Sequence, residues 1–223
     1  MTGCELTKAA GAAAADGATG IRLLAADDTI TSYTNSGENC EGPVQVLGDS
    51  AYGTGDALAA ITGAGHVPLV KPWVLRSPVE GGFTIDDFTI DLIAGTATCP
   101  NGLTRRITEK RTVTFGVGCT GCPLRAQCTT AARGRKLALH EHHELQREHR
   151  QRAQDPAWQA DYRQHRPMVE RSIAWLVAGG NRKVRYRGVD KNNAWLHTRT
   201  AAMNLRKLLN LGLIRQDGTW TLA

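Results

Sequence analysis

Val44-Gln45-Val46-Leu47-Gly48 is a short aliphatic run that stops at Asp49, and small residues of helical character follow from about Thr54 to Ala64. Apolar on both faces and closed by turn residues, the run predicts a buried strand of an open α/β sheet. His66 to Pro72 repeats the apolar pattern between prolines, so Val44 to Val70 reads as a βαβ unit with two parallel strands. Upstream, Cys4 to Thr7 is expected to end a strand, Ala9 to Ala15 is an Ala/Gly tract, and Asp16 opens a helix from about Gly17 to Ala26 with Ile21, Leu23 and Leu24 on its apolar side. Asp27 to Gly42 is polar and turn-rich, a loop. From Trp73 the period changes: Gly81 to Asp91 alternates, predicting short antiparallel strands with Asp86 and Asp87 at a hairpin corner, and Thr96 to Cys99 and Arg111 to Phe115 add strands. Leu137 to Gln159 is charged and helix-compatible. Asp161 to Leu176 places Val169, Ile173, Leu176 and Val177 at helical spacing on one buried face, with Pro167 a first-turn residue or a kink. A last amphipathic helix from about Asn192 to Leu211, its inner side Trp195, Leu196, Met203, Leu208 and Leu209, ends at Gly212.

With 223 residues the chain can hold one elaborated domain or two small ones. No apolar run reaches membrane-spanning length and no signal-peptide layout opens the chain, so the expectation is a soluble cytoplasmic protein. Charge is what changes the picture. Up to Thr98 there are 4 basic and 12 acidic residues, whereas from Cys99 onward there are 23 and 9. A basic half of this kind draws a polyanion by releasing its counterions, which points to nucleic acid; a merely solubilising face is the alternative.

Candidate chemistry falls at four places. Asp49, at the carboxyl end of its strand, is placed either to ligate a hard cation such as Mg²⁺ or to cap the next helix. Cys99, Cys119, Cys122 and Cys128, with Gly118 and Gly121 beside the close pair, fit a closed tetrathiolate Zn²⁺ site, against the alternative of four unlinked buried thiols. His140, His142, His143 and His149 lie among alternating charges and read as a solvated helix face rather than a second metal site. Glu170 stands four residues after Arg166, on one side of its helix, either as a functional carboxylate or as half of a surface ion pair. Beyond it Arg182, Lys183, Arg185 and Arg187, with Tyr186 among them, form a Gly-bounded basic loop suited to phosphate oxygens.

Taken together, Leu47-Gly48-Asp49-Ser50-Ala51-Tyr52-Gly53, Cys119-x2-Cys122-Pro123-Leu124-Arg125-x2-Cys128, Arg166-Pro167-Met168-Val169-Glu170-Arg171-Ser172-Ile173, Arg185-Tyr186-Arg187-Gly188 and Asn204-Leu205-Arg206 carry a resemblance. The chain resembles the DDE transposases of bacterial insertion sequences, most closely the IS1182-like group of the IS4-type class. The resemblance implies an RNase H-like α/β fold in which three carboxylates hold two Mg²⁺ ions for DNA strand cleavage and transfer. It makes Asp49 similar to the second Asp, Glu170 to the final Glu, and Arg166 to the Arg preceding that Glu. Two positions depart from the pattern: Tyr162 is four residues before the Arg rather than three, and Val177 stands where a Lys is usual.

The same resemblance divides the chain into a partial RNase H-like core at 1–72, truncated at its first strands, a β-rich cysteine-containing insertion with the charged helix at 73–160, and helices completing the core at 161–223. No residue matches the first Asp, since Asp16, Asp27 and Asp28 fall in the following helix and loop. The expectation is therefore a carboxyl-terminal portion of a transposase that binds DNA without cutting it alone. DNA contacts are expected at Arg166, Arg171, Arg182, Lys183, Arg185 and Arg187. Self-association, or association with a full-length transposase, and residence at the bacterial nucleoid follow from the same resemblance. The competing expectation is a zinc-containing, non-catalytic DNA-binding module in which Asp49 is only a cap.

Overall fold

The computed structural model describes residues 3–8, 16–27, 43–178 and 181–222. Most of the expected loop over Asp27 to Gly42, with Asp28 and Cys40, lies outside the described residues, as do the tract Ala9 to Ala15 and the glycines Gly179 and Gly180. Among the described residues the chain is mixed α/β with small separate sheets.

The βαβ unit forms with the parallel pairing its pattern predicts, but β1 is half-buried with Gln45 exposed instead of being a buried strand, because its sheet has only two strands among the described residues. Strands β1 (Gln45–Gly48) and β2 (Val67–Val70) are parallel, Leu47 opposite Leu69, and are joined by helix α2 (Gly55–Gly63). Thr54 caps that helix by accepting the Ala57 N–H, and Ala57, Leu58 and Ile61 bury its inner face. Helix α1 (Asp16–Ala25) packs against α2 with Ile21, Leu23 and Leu24 half-buried. Cys4 to Thr7 forms no strand. The amide of Leu6 donates to Asn193 Oδ1 at 2.6 Å and its carbonyl accepts from Asn193 Nδ2 at 3.2 Å, so a side-chain amide far along the chain takes the place of a ladder.

The insertion is built from strands of three residues. β3 (Thr89–Asp91), β4 (Thr96–Thr98) and β5 (Thr104–Arg106) form one antiparallel sheet, and β6 (Thr112–Thr114) pairs with β7 (Lys136–Ala138) in another. A second core joins Phe88, Ala97, Val113, Phe115 and Leu137 with Cys119 and Cys128, the latter ending the short helix α3 (Arg125–Cys128). The Asp86-Asp87 corner is a 3-10 turn with a capping box instead of a hairpin: Asp87 accepts the Thr84 N–H, and Thr84 caps the turn. Asp86 is thereby freed to meet Arg150.

The charged stretch Leu137 to Gln159 is not one helix. It supplies the end of β7, helix α4 (His143–Arg152) and the start of helix α5 (Pro156–Val177), because Asp155 accepts the Ala157 N–H as a new cap and Pro156 lacks an amide to continue the earlier helix. Pro167 falls inside α5. Two of the four histidines do not lie on a solvated face. His143 and His149 are buried, and His149 Nε2 meets the Val70 carbonyl at 2.8 Å, tying α4 to the end of β2.

Helix α5 lies against β1 and β2, and helix α6 (Val189–Asn210) packs on α5 and on the terminal hairpin β8 (Leu213–Gln216) and β9 (Thr219–Leu222). The expected buried face of α5 is corrected: Ile173 and Val177 are exposed and Leu176 only half-buried, since the strands reach just part of the helix, and the Val169 side chain is outside the description. On α6 Leu196 is buried, Trp195 and Met203 are half-buried, and Leu208 and Leu209 are exposed, the inner face being covered only over its first half.

Candidate active site

Asp49 follows β1 directly and is exposed. Its Oδ1 accepts the Ala51 N–H at 2.9 Å, capping a 3-10 turn over Ser50–Tyr52. The cap uses one carboxylate oxygen, and the other is not taken by it. Helix α5 then brings in the second acid. Gln45 Nε2 of β1 donates to Asp161 at 3.1 Å, holding the amino-terminal part of α5 beside the strand that ends at Asp49.

Along α5 the spacing of four puts Trp158, Tyr162, Arg166 and Glu170 in one row. Trp158 stacks on Tyr162 with ring centroids 5.4 Å apart and planes 9° from parallel. The Arg166 guanidinium lies 5.7 Å from the Tyr162 ring centre, donates to the Tyr162 hydroxyl at 3.2 Å, and donates through Nε to Glu170 Oε1 at 2.6 Å. The Glu170 carboxylate and the Tyr162 contact both raise the Arg166 pKa above its ordinary value, the hydrogen bond to Glu170 foremost.

Leu47, Gly48, Asp49, Tyr52, Tyr162, Arg166, Glu170 and Ile173 line one cavity of about 240 Å³. Asp49 and Glu170, distant in sequence, therefore open on a common space that Arg166 of α5 also lines. Tyr52 closes the same space, and its phenol is pushed up mainly by burial and then by the charges of Asp16 and Asp49. Tyr162 and Arg166 also line an adjoining groove with Lys71, Trp73, Asp86, Arg150 and Trp158. Sequence reasoning missed Trp158 and Trp73; the four-residue interval from Trp158 to Tyr162 was the available signal.

The remaining expected residues lie elsewhere. Arg171 is exposed on α5 and does not line the cavity. Arg182, Lys183, Arg185 and Arg187 are exposed in the segment between α5 and α6. Asn192 of α6 secures the end of that segment: its amide donates to the carbonyls of Tyr186 at 2.7 Å and Gly188 at 2.6 Å, and its oxygen accepts the Tyr186 N–H at 2.9 Å.

Cys99, Cys119, Cys122 and Cys128 line one small cavity and are free thiols. Burial pushes the Cys128 thiol up, with Arg135 opposing. The expected zinc centre is not formed as the side chains stand, because among the described residues no group of three or more His, Cys, Asp or Glu has metal-holding geometry. His140 and His142 approach Asp56 Oδ1 at 3.6 and 3.9 Å without making such a group. Among the described residues no helix is long and apolar enough to cross a membrane.

In a comparison with known families, residues 98–209, half of the chain, match the family described as Transposase DDE domain. The match takes in the insertion from Thr98 onward, the four cysteines, Arg166, Glu170 and most of α6; Asp49 and the start of the insertion precede it. No curated protein and no solved structure matches.

Proposed function

The chain belongs to the transposase DDE domain family and so to DNA transposition, and on that premise we propose that Asp49 and Glu170 are two carboxylates of an RNase H-like transposase centre of the IS1182-like kind. The observation that carries this reading is their shared cavity, reached from a strand end and from a helix. The parallel β1–α2–β2 unit with α5 across it supports a partial core at 1–72, interrupted by the insertion at 73–160 and resumed at 161–223.

Two carboxylate groups lining one cavity of about 240 Å³ suit a hard divalent cation, which takes oxygen donors and keeps several of its own waters. When bound, Mg²⁺ would supply charge stabilisation for an attacking or leaving oxygen on a phosphodiester. The residues present fit one such ion better than two, since Asp49 and Glu170 are the only acids lining the cavity among the described residues and Arg166 already engages one Glu170 oxygen. Arg166, released from Glu170 by a cation, is placed to hold a DNA phosphate beside the carboxylates. Arg171, Arg182, Lys183, Arg185 and Arg187, all exposed, supply further phosphate contacts. With two carboxylates, the chain alone binds DNA and does not cut it.

Gel-shift and nuclease assays on a labelled duplex test this reading. We expect binding that weakens steeply with salt, a salt slope smaller by about 1 for each loop cation neutralised, Mn²⁺ binding lost in Asp49→Asn and in Glu170→Gln, and no cleavage. Mg²⁺-dependent cleavage abolished by Asp49→Asn would refute the inactive state, and Mn²⁺ binding unchanged by both substitutions would refute the shared site. The second reading, a non-catalytic DNA-binding protein, is favoured by the Asp49 cap; it predicts DNA binding with no divalent-ion dependence at either carboxylate.

A further inference from the structure

We propose that Cys99, Cys119, Cys122 and Cys128 bind one zinc ion as thiolates, forming a staple for the insertion. This inference stands apart from the Asp49–Glu170 reading and does not need it. The four residues come from four different local structures: the turn after β4, the 3-10 turn Gly116–Cys119, the turn that follows it, and the end of α3. All four nevertheless line one cavity of about 20 Å³, room for a single small sphere.

The charge around this cavity is the second observation. Arg135 is 7 % exposed, and its guanidinium finds only carbonyls and an aromatic ring: Cys128 O at 3.2 Å, Phe83 O at 3.5 Å and the Phe88 ring centre at 5.5 Å. Its Nε is buried without a hydrogen-bond partner. Arg125, lining the same cavity, likewise donates to the carbonyls of Cys119, Ala131 and Ala132. Neither guanidinium has a carboxylate partner among the described residues. A cation removed from water without an opposite charge is costly. Four neutral thiols do nothing for it, whereas a divalent ion bound by four thiolates carries two net negative charges beside both arginines. The protons leave the thiols to solvent as the ion enters.

Backbone placement is the third observation. The Arg135 amide donates to Cys119 Sγ at 3.4 Å, a bond that favours the thiolate. The chain wraps so closely there that Gly134, at φ +79°, has no room for a side chain: a Cβ would stand 2.5 Å from the Gly116 carbonyl oxygen and 3.1 Å from Cys119 Sγ. The strands of this region have three residues each, too short for sheets of this size to stand alone, and a metal cross-link supplies what their core lacks. Since no three of the side chains have liganding geometry as they stand, binding includes rotation of the thiols toward the cavity.

The test is metal analysis of the full chain purified under reducing conditions. We expect about one zinc per chain, since a closed four-ligand site holds one ion, and replacement by Co²⁺ should give the absorption of tetrahedral thiolate coordination. Cys122→Ser, at a half-exposed position, should lose the metal, while Cys4→Ser, outside the cavity, should keep it. Should Cys122→Ser not fold, chelation of the unmodified chain replaces it, and the near-ultraviolet signal of the insertion should collapse as zinc leaves. Absence of zinc together with no cobalt spectrum, retention of the metal by folded Cys122→Ser, or an unchanged signal on chelation would each overturn the proposal.

Discussion

Asp86→Asn is the substitution whose effect the structure fixes best. Asp86 sits in the 3-10 turn of the insertion and Arg150 in α4, with Nε–Oδ2 and Nη2–Oδ1 at 2.7 and 2.5 Å in a two-bond fork. The side chains are 28 % and 13 % exposed, so this pair lies between two regimes. Exposed pairs contribute at most about 1 kcal/mol, and breaking a fully buried one costs about 3–5 kcal/mol. Removing the carboxylate charge while leaving the guanidinium largely shielded should therefore destabilise the chain by about 2–3 kcal/mol. At this chain length that is a fall in Tm of about 5–10 °C. Thermal and urea unfolding followed by circular dichroism read it directly. The companion Asp86→Asn/Arg150→Gln chain should recover part of the loss, because no isolated charge remains. A single-variant loss below about 0.5 kcal/mol, or a double variant no better than the sum of its parts, would show that the fork contributes only as a surface pair.

Two further outcomes follow from groups already described. His143 and His149 are held below the ordinary histidine value of 6.5, in both cases chiefly by burial. A histidine depressed in the folded state contributes stability above its unfolded pKa, and that contribution is lost as pH falls through 6.5 toward the folded value. Melting temperature should thus be flat above about pH 7 and decline toward pH 5, and His149→Gln should flatten the decline; an unchanged pH profile would exclude His149 as its source. Gly134→Ala combines positive φ with a clash against a backbone oxygen, and should cost more than about 2 kcal/mol, seen as lost soluble yield or a lowered urea midpoint, whereas an unaltered midpoint would show that the backbone there yields.

Hydrophobic runs revealed the βαβ unit because Val46-Leu47 in β1 and Val67–Val70 in β2 are aliphatic and end at residues that stop a strand, Asp49 and Lys71. The row through Arg166 and Glu170 was legible for the same reason: an interval of four fixes proximity within a helix. What escaped reading depends on distant partners. Asp86 looked like a turn residue because nothing local signals Arg150, and His149 looked solvated because its neighbours in sequence are charged while its neighbours in space are α2 and β2. Ile173 and Val177 have the spacing of a core face, yet the strands do not extend beneath them. Strands of three residues, such as β5 and β7, are too short to show a period at all.

Leu6, joined to Asn193 in both directions, has a bearing on biosynthesis. The segment around Leu6 must wait for the 187-residue stretch leading to Asn193 to be made before it finds its partner, so its docking can be timed against the length of the nascent chain.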